Sequence, residues 1–319
     1  MAPATGGRRS QALHLLLTAI FLIVAVSVFP VFFLGPLALL LLVSHPRTPR
    51  EWFWIAVSVG ALVAWFRLPD SLSQETVRAA AVLFVGGFVT LSVAGVRSLF
   101  TRALVAAALA ALAMGGWFVV FHLRYDALQS EIITKAWDTW HQAWPSLPAT
   151  PPPTTDIQVT TQPDLAHQLA LAATGVAVLA PAMLTLVALL GVWLASSWYR
   201  RIARTPIVGP VPPLADFRFN DHLVWLLVLS VAAALAATSR TVHLVTENLL
   251  VVVLATYWLR GLGVVRTALR RASPLVIGVL VLIMFPMMAF VLVGLTLLGV
   301  ADTWLDFRRR MAPPSGAPT

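Results

Sequence analysis

The chain has 319 residues, of which 59% are hydrophobic and only 11% charged, with a net charge of +9 and no cysteine. A mean hydropathy of +0.85 excludes the usual water-soluble domain built around one core. Without cysteine there are no disulfides, thiolate metal sites or cysteine nucleophiles, and the arginines cluster between apolar runs, as membrane topology and not nucleic-acid binding requires.

Residues 103–123 and 169–199 contain no Asp, Glu, Lys or Arg. About 20 apolar residues at 1.5 Å rise cross a ~30 Å hydrocarbon core, and a helix satisfies its own backbone there. The expected fold is therefore all-α, a polytopic transmembrane bundle of about 8–9 helices with one outer amphipathic helix. Apolar segments fall at 13–29, 31–44, 52–66, 79–96, 103–122, 168–197, 223–239, 247–265 and 274–300. Arg8 and Arg9 ahead of the first run imitate a signal peptide, but no small-residue cleavage site follows, so an uncleaved first span is expected. Pro30, Gly35 and Pro36 interrupt the next stretch as a tight hairpin or a kinked helix.

Four regions result: N-terminal transmembrane helices over 1–122, an extracytoplasmic segment over 123–167, C-terminal transmembrane helices over 168–305, and a basic then disordered tail over 306–319. Alternating spans put Arg47 and Arg50, Arg97 and Arg102, Arg200, Arg201 and Arg204, and Arg266, Arg270 and Arg271 on one side, the cytoplasm of a bacterial inner membrane. Arg308, Arg309 and Arg310 then fall on the other side, against the rule. Most tryptophans, Trp65, Trp117, Trp225 and Trp258 among them, lie near span ends as interfacial anchors. Small residues four apart, as at Ala106 and Ala110 or Ala232 and Ala236, mark faces for close helix packing.

Between Tyr125 and Trp144, the residues Ile133, Trp137, Trp140 and Trp144 share one helical face, which predicts the amphipathic outer helix. A Pro- and Thr-rich spacer runs from Pro145 to Pro163. The 200–222 loop, with Pro206, Pro210, Pro212 and Pro213 before Phe217 and Arg218, is semi-rigid and suited to a cytoplasmic contact.

The chemistry is sparse. No Gly-x-x-x-x-Gly-Lys loop, His-Glu-x-x-His pair or Gly-x-Ser-x-Gly elbow occurs, so no enzyme, no cofactor and no metal site is expected. The seven histidines are scattered without ligand spacing. All thirteen acids read as loop or span-end residues, which argues against proton coupling through an intramembrane carboxylate. Arg260 breaks the rule of charge-free interiors. The twelve residues from Asn248 to Leu259 make only about 18 Å of helix, so the span must continue through it. Its guanidinium then binds an anionic group, pairs structurally, or snorkels to the headgroups. Arg240, His243, Glu247 and Asn248 form a polar group at the outer end of the same span.

Phe217-Arg218 followed by Trp225, then Asn248, Tyr257 to Val265 and Leu298 to Arg308, together with Pro30 and Gly35-Pro36, resemble the YybS-like bacterial membrane proteins, of uncharacterised function. That family in turn is similar to the substrate-binding subunits of energy-coupling-factor transporters. The resemblance implies a small-molecule-binding bundle without its own motor. Two readings result. In the first, Arg260, Asn248, Trp225 and Glu247 line a ligand site in a transporter-like subunit. In the second, a non-transporting scaffold recruits a cytoplasmic partner protein through Phe217, Arg218, Arg270 and Arg271. The partners implied are the lipid bilayer and one of these two, with no nucleic acid.

Overall fold

A computed structural model describes residues 30–95, 98–152, 165–211, 213–214, 217 and 219–311. The expected first span at 13–29, the spacer from Pro153 to Pro163, Arg218 and the tail beyond Met311 lie outside the described residues.

Twelve α-helices follow one another among the described residues. They are α1 (Val31–Val43), α2 (Pro49–Phe66), α3 (Leu72–Val93), α4 (Leu99–Val120), α5 (Tyr125–Ala143) and α6 (Leu165–Val178). The rest are α7 (Ala180–Ile202), α8 (Leu223–Ala236), α9 (Arg240–Ala268), α10 (Pro274–Met284), α11 (Met288–Leu305) and α12 (Phe307–Met311). Among the described residues, five helical segments are long and apolar enough to cross a membrane: α3, α4, α7, α9 and Phe285–Leu305.

Twelve helices among the described residues exceed the expected 8–9. Two apolar runs break: 168–197 divides at Leu179, just before Pro181, and 274–300 divides at a 3₁₀ turn, Phe285–Met287, carrying Pro286. Proline removes a backbone donor and clashes with the preceding turn, so a continuous apolar run need not be a continuous helix.

The described chain divides into two compact units, one of residues up to Ala177 with Val187–Val211, the other of Val178–Leu186 with residues from 213 on. In the first unit α1 is apolar all round and buried, with Phe32, Leu37, Leu40 and Leu41 at 1% exposure or less. It lies against α2 and α3, where Phe32 meets Phe84 edge to face at 6.0 Å. Gly191 of α7 lies under the Phe32 carbonyl, where any Cβ would overlap that oxygen. In α4, Ala103, Ala106 and Ala110 are buried, and a Cβ on Gly87 of α3 would sit 3.7 Å from Ala106, so one expected small-residue face is the packed one.

The capping box of α2 also ties two loops. Glu51 accepts from the N–H groups of Arg47 and Thr48 and from the Thr48 hydroxyl at 2.8–2.9 Å, while its other oxygen takes the Arg204 N–H at 2.8 Å. The Arg204 donor, aided by those of Arg47 and Thr48, overrides the opposing effect of burial and holds the carboxyl down at about 2.

The amphipathic helix is present as α5. Trp137 is 1% exposed, donates Nε1–H to the Pro148 carbonyl at 3.0 Å and packs with Trp140, Leu147, Ala166 and Ala170, whereas Trp144 is half exposed. Glu131 fixes α5 to α3, accepting from the Ser73 hydroxyl at 2.8 Å and from Lys135 Nζ at 2.7 Å.

In the second unit α9 packs against α8, α11 and α12. Backbone meets backbone at Gly261 and Gly299. A Cβ on the first would overlap the Leu295 carbonyl oxygen, and one on the second the Tyr257 oxygen. Without a hydrophobic drive between helices in lipid, such close approach is what holds them. In the other expected small-residue set Ala232 and Ala236 are exposed while Ala233 and Ala237 are half-buried, and α8 buries Ser230.

Candidate functional site

Arg260 lies on the buried face of α9 at 5% exposure, so it does not snorkel. All its donor nitrogens are engaged. Nε–H donates to Asp302 Oδ2 at 3.0 Å, an Nη2–H to the Asp302 carbonyl at 3.1 Å and an Nη1–H to Asp221 Oδ1 at 2.8 Å. The Phe219 ring lies 5.2 Å from the guanidinium carbon and meets Tyr257 edge to face at 5.2 Å.

Asp302 is on α11, one turn before its end, at 1% exposure. Its Oδ2 accepts a second guanidinium, Arg308 Nη2, at 3.1 Å. Arg308 reaches back because Asp306 ends α11 in the left-handed region, φ 41° and ψ 55°, and turns the chain into α12. Asp is among the few non-glycine residues that adopt this conformation readily. Arg308 also donates to the Phe217 carbonyl at 2.7 Å. Two arginines and two aspartates thus close a neutral network that pins both ends of the Phe217–Asp221 segment.

The two aspartates differ. Asp302 is sealed, while the Asp221 side chain is 65% exposed. Asp302 Oδ1 is buried without a hydrogen-bond partner among the described residues. Asp221 is therefore the solvent-facing carboxylate on Arg260 and Asp302 the inner one.

The other expected ligand residues are not gathered here. Asn248 lies twelve residues before Arg260 on α9, about 18 Å along the axis. It repairs the helix break, its Oδ1 accepting from Ala182 N–H and its Nδ2 donating to the Val178 and Leu244 carbonyls at 2.8–2.9 Å. Glu247 pairs with His243 at 3.2 Å, and Trp225 is 63% exposed. Of the expected partner residues, Phe217 is held by Arg308, Arg270 is exposed on a 3₁₀ turn with Arg271, and Arg218 lies outside the described residues.

Asp302, Asp221 and Arg308 were not legible as partners, being 42, 39 and 48 residues from Arg260. Asp302 lies in the last turn of its span, as expected of an acid here, but is buried and paired instead of solvated. One signal was available: the otherwise misplaced Arg308 follows this Asp by six residues, in the stretch that carried the family resemblance.

Helical segments of this length and apolarity define a membrane protein with several candidate spans. The chain belongs to the family described as Predicted membrane protein (DUF2232), whose model matches residues 12–303. No curated protein and no solved structure matches it.

Proposed function

We propose that the chain is a membrane-embedded, transporter-like component that binds a small organic anion through Arg260 in a bacterial inner membrane, catalyses no reaction and has no motor of its own. The observation behind this reading is the unequal pairing of Arg260: one carboxylate is sealed inside and the other is on loan from an exposed loop. Charged groups within apolar helices are costly and are functional candidates by default. Asp221 stands where the ligand's acidic group would bind, Asp302 and Arg308 hold the guanidinium in place, and Phe219 and Tyr257 supply an aromatic wall.

Thermal unfolding in detergent with a panel of organic anions tests this. A ligand should raise the midpoint of the parent, raise that of Asp221→Asn further because the internal competitor is gone, and leave Arg260→Gln unmoved. No shift with any anion, or an equal shift in Arg260→Gln, would remove the proposal.

A second reading has its own support, because the pinned Phe217–Asp221 segment and exposed Arg270 are suited to a scaffold that recruits a cytoplasmic partner. Crosslinking from single cysteines placed in those loops discriminates, since capture of only lipid and self-contacts counts against it.

A further inference from the structure

Away from Arg260, the first unit contains a groove of about 510 Å³, lined by Phe66 of α2, Val82 and Leu83 of α3, Met114 and Trp117 of α4, and one charged side chain, Arg78. The volume falls within the range of small-ligand sites, roughly 300–1,000 Å³. Val82 and Leu83 are exposed at 59% and 40%, so the groove opens along apolar helices. In a bilayer its walls suit an acyl chain. Lining alone would give no specificity; Arg78 does.

Arg78 is 13% exposed in its side chain and sits at the first turns of α3. The Trp65 and Phe66 rings lie 5.9 and 5.8 Å from its guanidinium carbon, and an Nη2–H donates to the Leu68 carbonyl at 2.6 Å. Its counter-ion, Asp70, is 73% exposed, and an ion pair so open to solvent is worth little. Nε–H is buried and has no acceptor among the described residues. Asp70 is held on Nη1, and a charge-assisted bond from that nitrogen to a phosphate oxygen can take its place while Leu68 keeps the planar guanidinium fixed. Trp65 and Trp117 beside it are the aromatic residues that anchor at the headgroup level.

We infer that this groove holds one acyl chain of an anionic phospholipid, with the phosphate on Arg78 in place of exposed Asp70 and the chain running past Val82 and Leu83 between α3 and α4. The site shares no residue with the Arg260 network, and neither needs the other.

Native mass spectrometry of the full chain in mild detergent tests it, with phosphatidylglycerol and phosphatidylcholine of identical acyl chains as competitors. The parent should retain the anionic lipid about fivefold more than the zwitterionic one, the ratio that about 1 kcal/mol from one basic residue provides. Arg78→Gln should erase the preference, and Arg78→Lys should recover only part of it, because the fork is lost. Ala113→Phe, which fills the groove and leaves Arg78 alone, should lower retention of both lipids. Millimolar inorganic phosphate should not displace bound lipid. Equal retention of the two lipids by the parent, an unchanged preference in Arg78→Gln, unchanged retention in Ala113→Phe, or displacement by free phosphate would each overturn the proposal.

Discussion

Replacing Asp302 by Ala removes the inner anion from a site where the Arg260 and Arg308 side chains are 6% and 5% exposed. Both guanidiniums lose Oδ2 at 3.0–3.1 Å, and the cluster changes from neutral to a net charge of about +1 with little water to screen it. Breaking a buried pair by removing one partner costs about 3–5 kcal/mol, because an uncompensated charge stays behind. Exposed Asp221 still holds Arg260 and the Phe217 carbonyl still holds Arg308, so the lower half of that range is expected. Asp302→Asn, which keeps the shape and one acceptor, should fall between. The double variant Arg260→Met with Asp302→Leu should recover only part of the loss, since Arg308 stays buried without its carboxylate. Thermal or denaturant unfolding in detergent, followed by tryptophan fluorescence, measures all three. If Asp302→Ala lies within about 1 kcal/mol of the parent, or the double variant is worse than the sum of its singles, the network does not carry the energetics argued for it.

Gly261→Ala and Gly299→Ala each place a methyl group on a facing carbonyl, so both should destabilise by about 1–3 kcal/mol or more as α9 and α11 move apart, whereas Gly115→Ala, with open space around it, should be near neutral in the same assay. Glu51 and Glu131 both titrate at about 2 against an ordinary 4.5. For Glu131, burial pushes upward but the Lys135 ammonium and the Ser73 hydroxyl outweigh it. Depressed folded values mean a stabilisation fully present above about pH 4.5 and lost as pH falls towards 2, so a stability profile over that window should be flatter in Glu51→Gln and Glu131→Gln. Trp137→Phe keeps the apolar bulk but leaves the Pro148 carbonyl without its donor, and should cost about 1 kcal/mol, visible as earlier proteolysis of the α5 region.

Apolar run length, the spacing of Trp137 and Trp140 and the arginine clusters were enough to read helices, membrane segments and the amphipathic α5, because each is a property of nearby residues in one solvent. Arg260 was legible as an anomaly for the same reason: a charge within an apolar run is visible without knowing its neighbours. Its partners were not. Asp302 looked like a span-end acid and Arg308 a stray basic residue, and only the contact of α9 with α11 at Gly261 and Gly299, with the turn at Asp306, brings them onto one guanidinium. Asn248 shows the reverse case, a polar residue that sequence made a ligand candidate and folding used to close the break before α7. Local composition determined what must leave water, whereas tertiary contact decided which polar groups inside would satisfy one another, since ion pairing depends on distance in space and not along the chain.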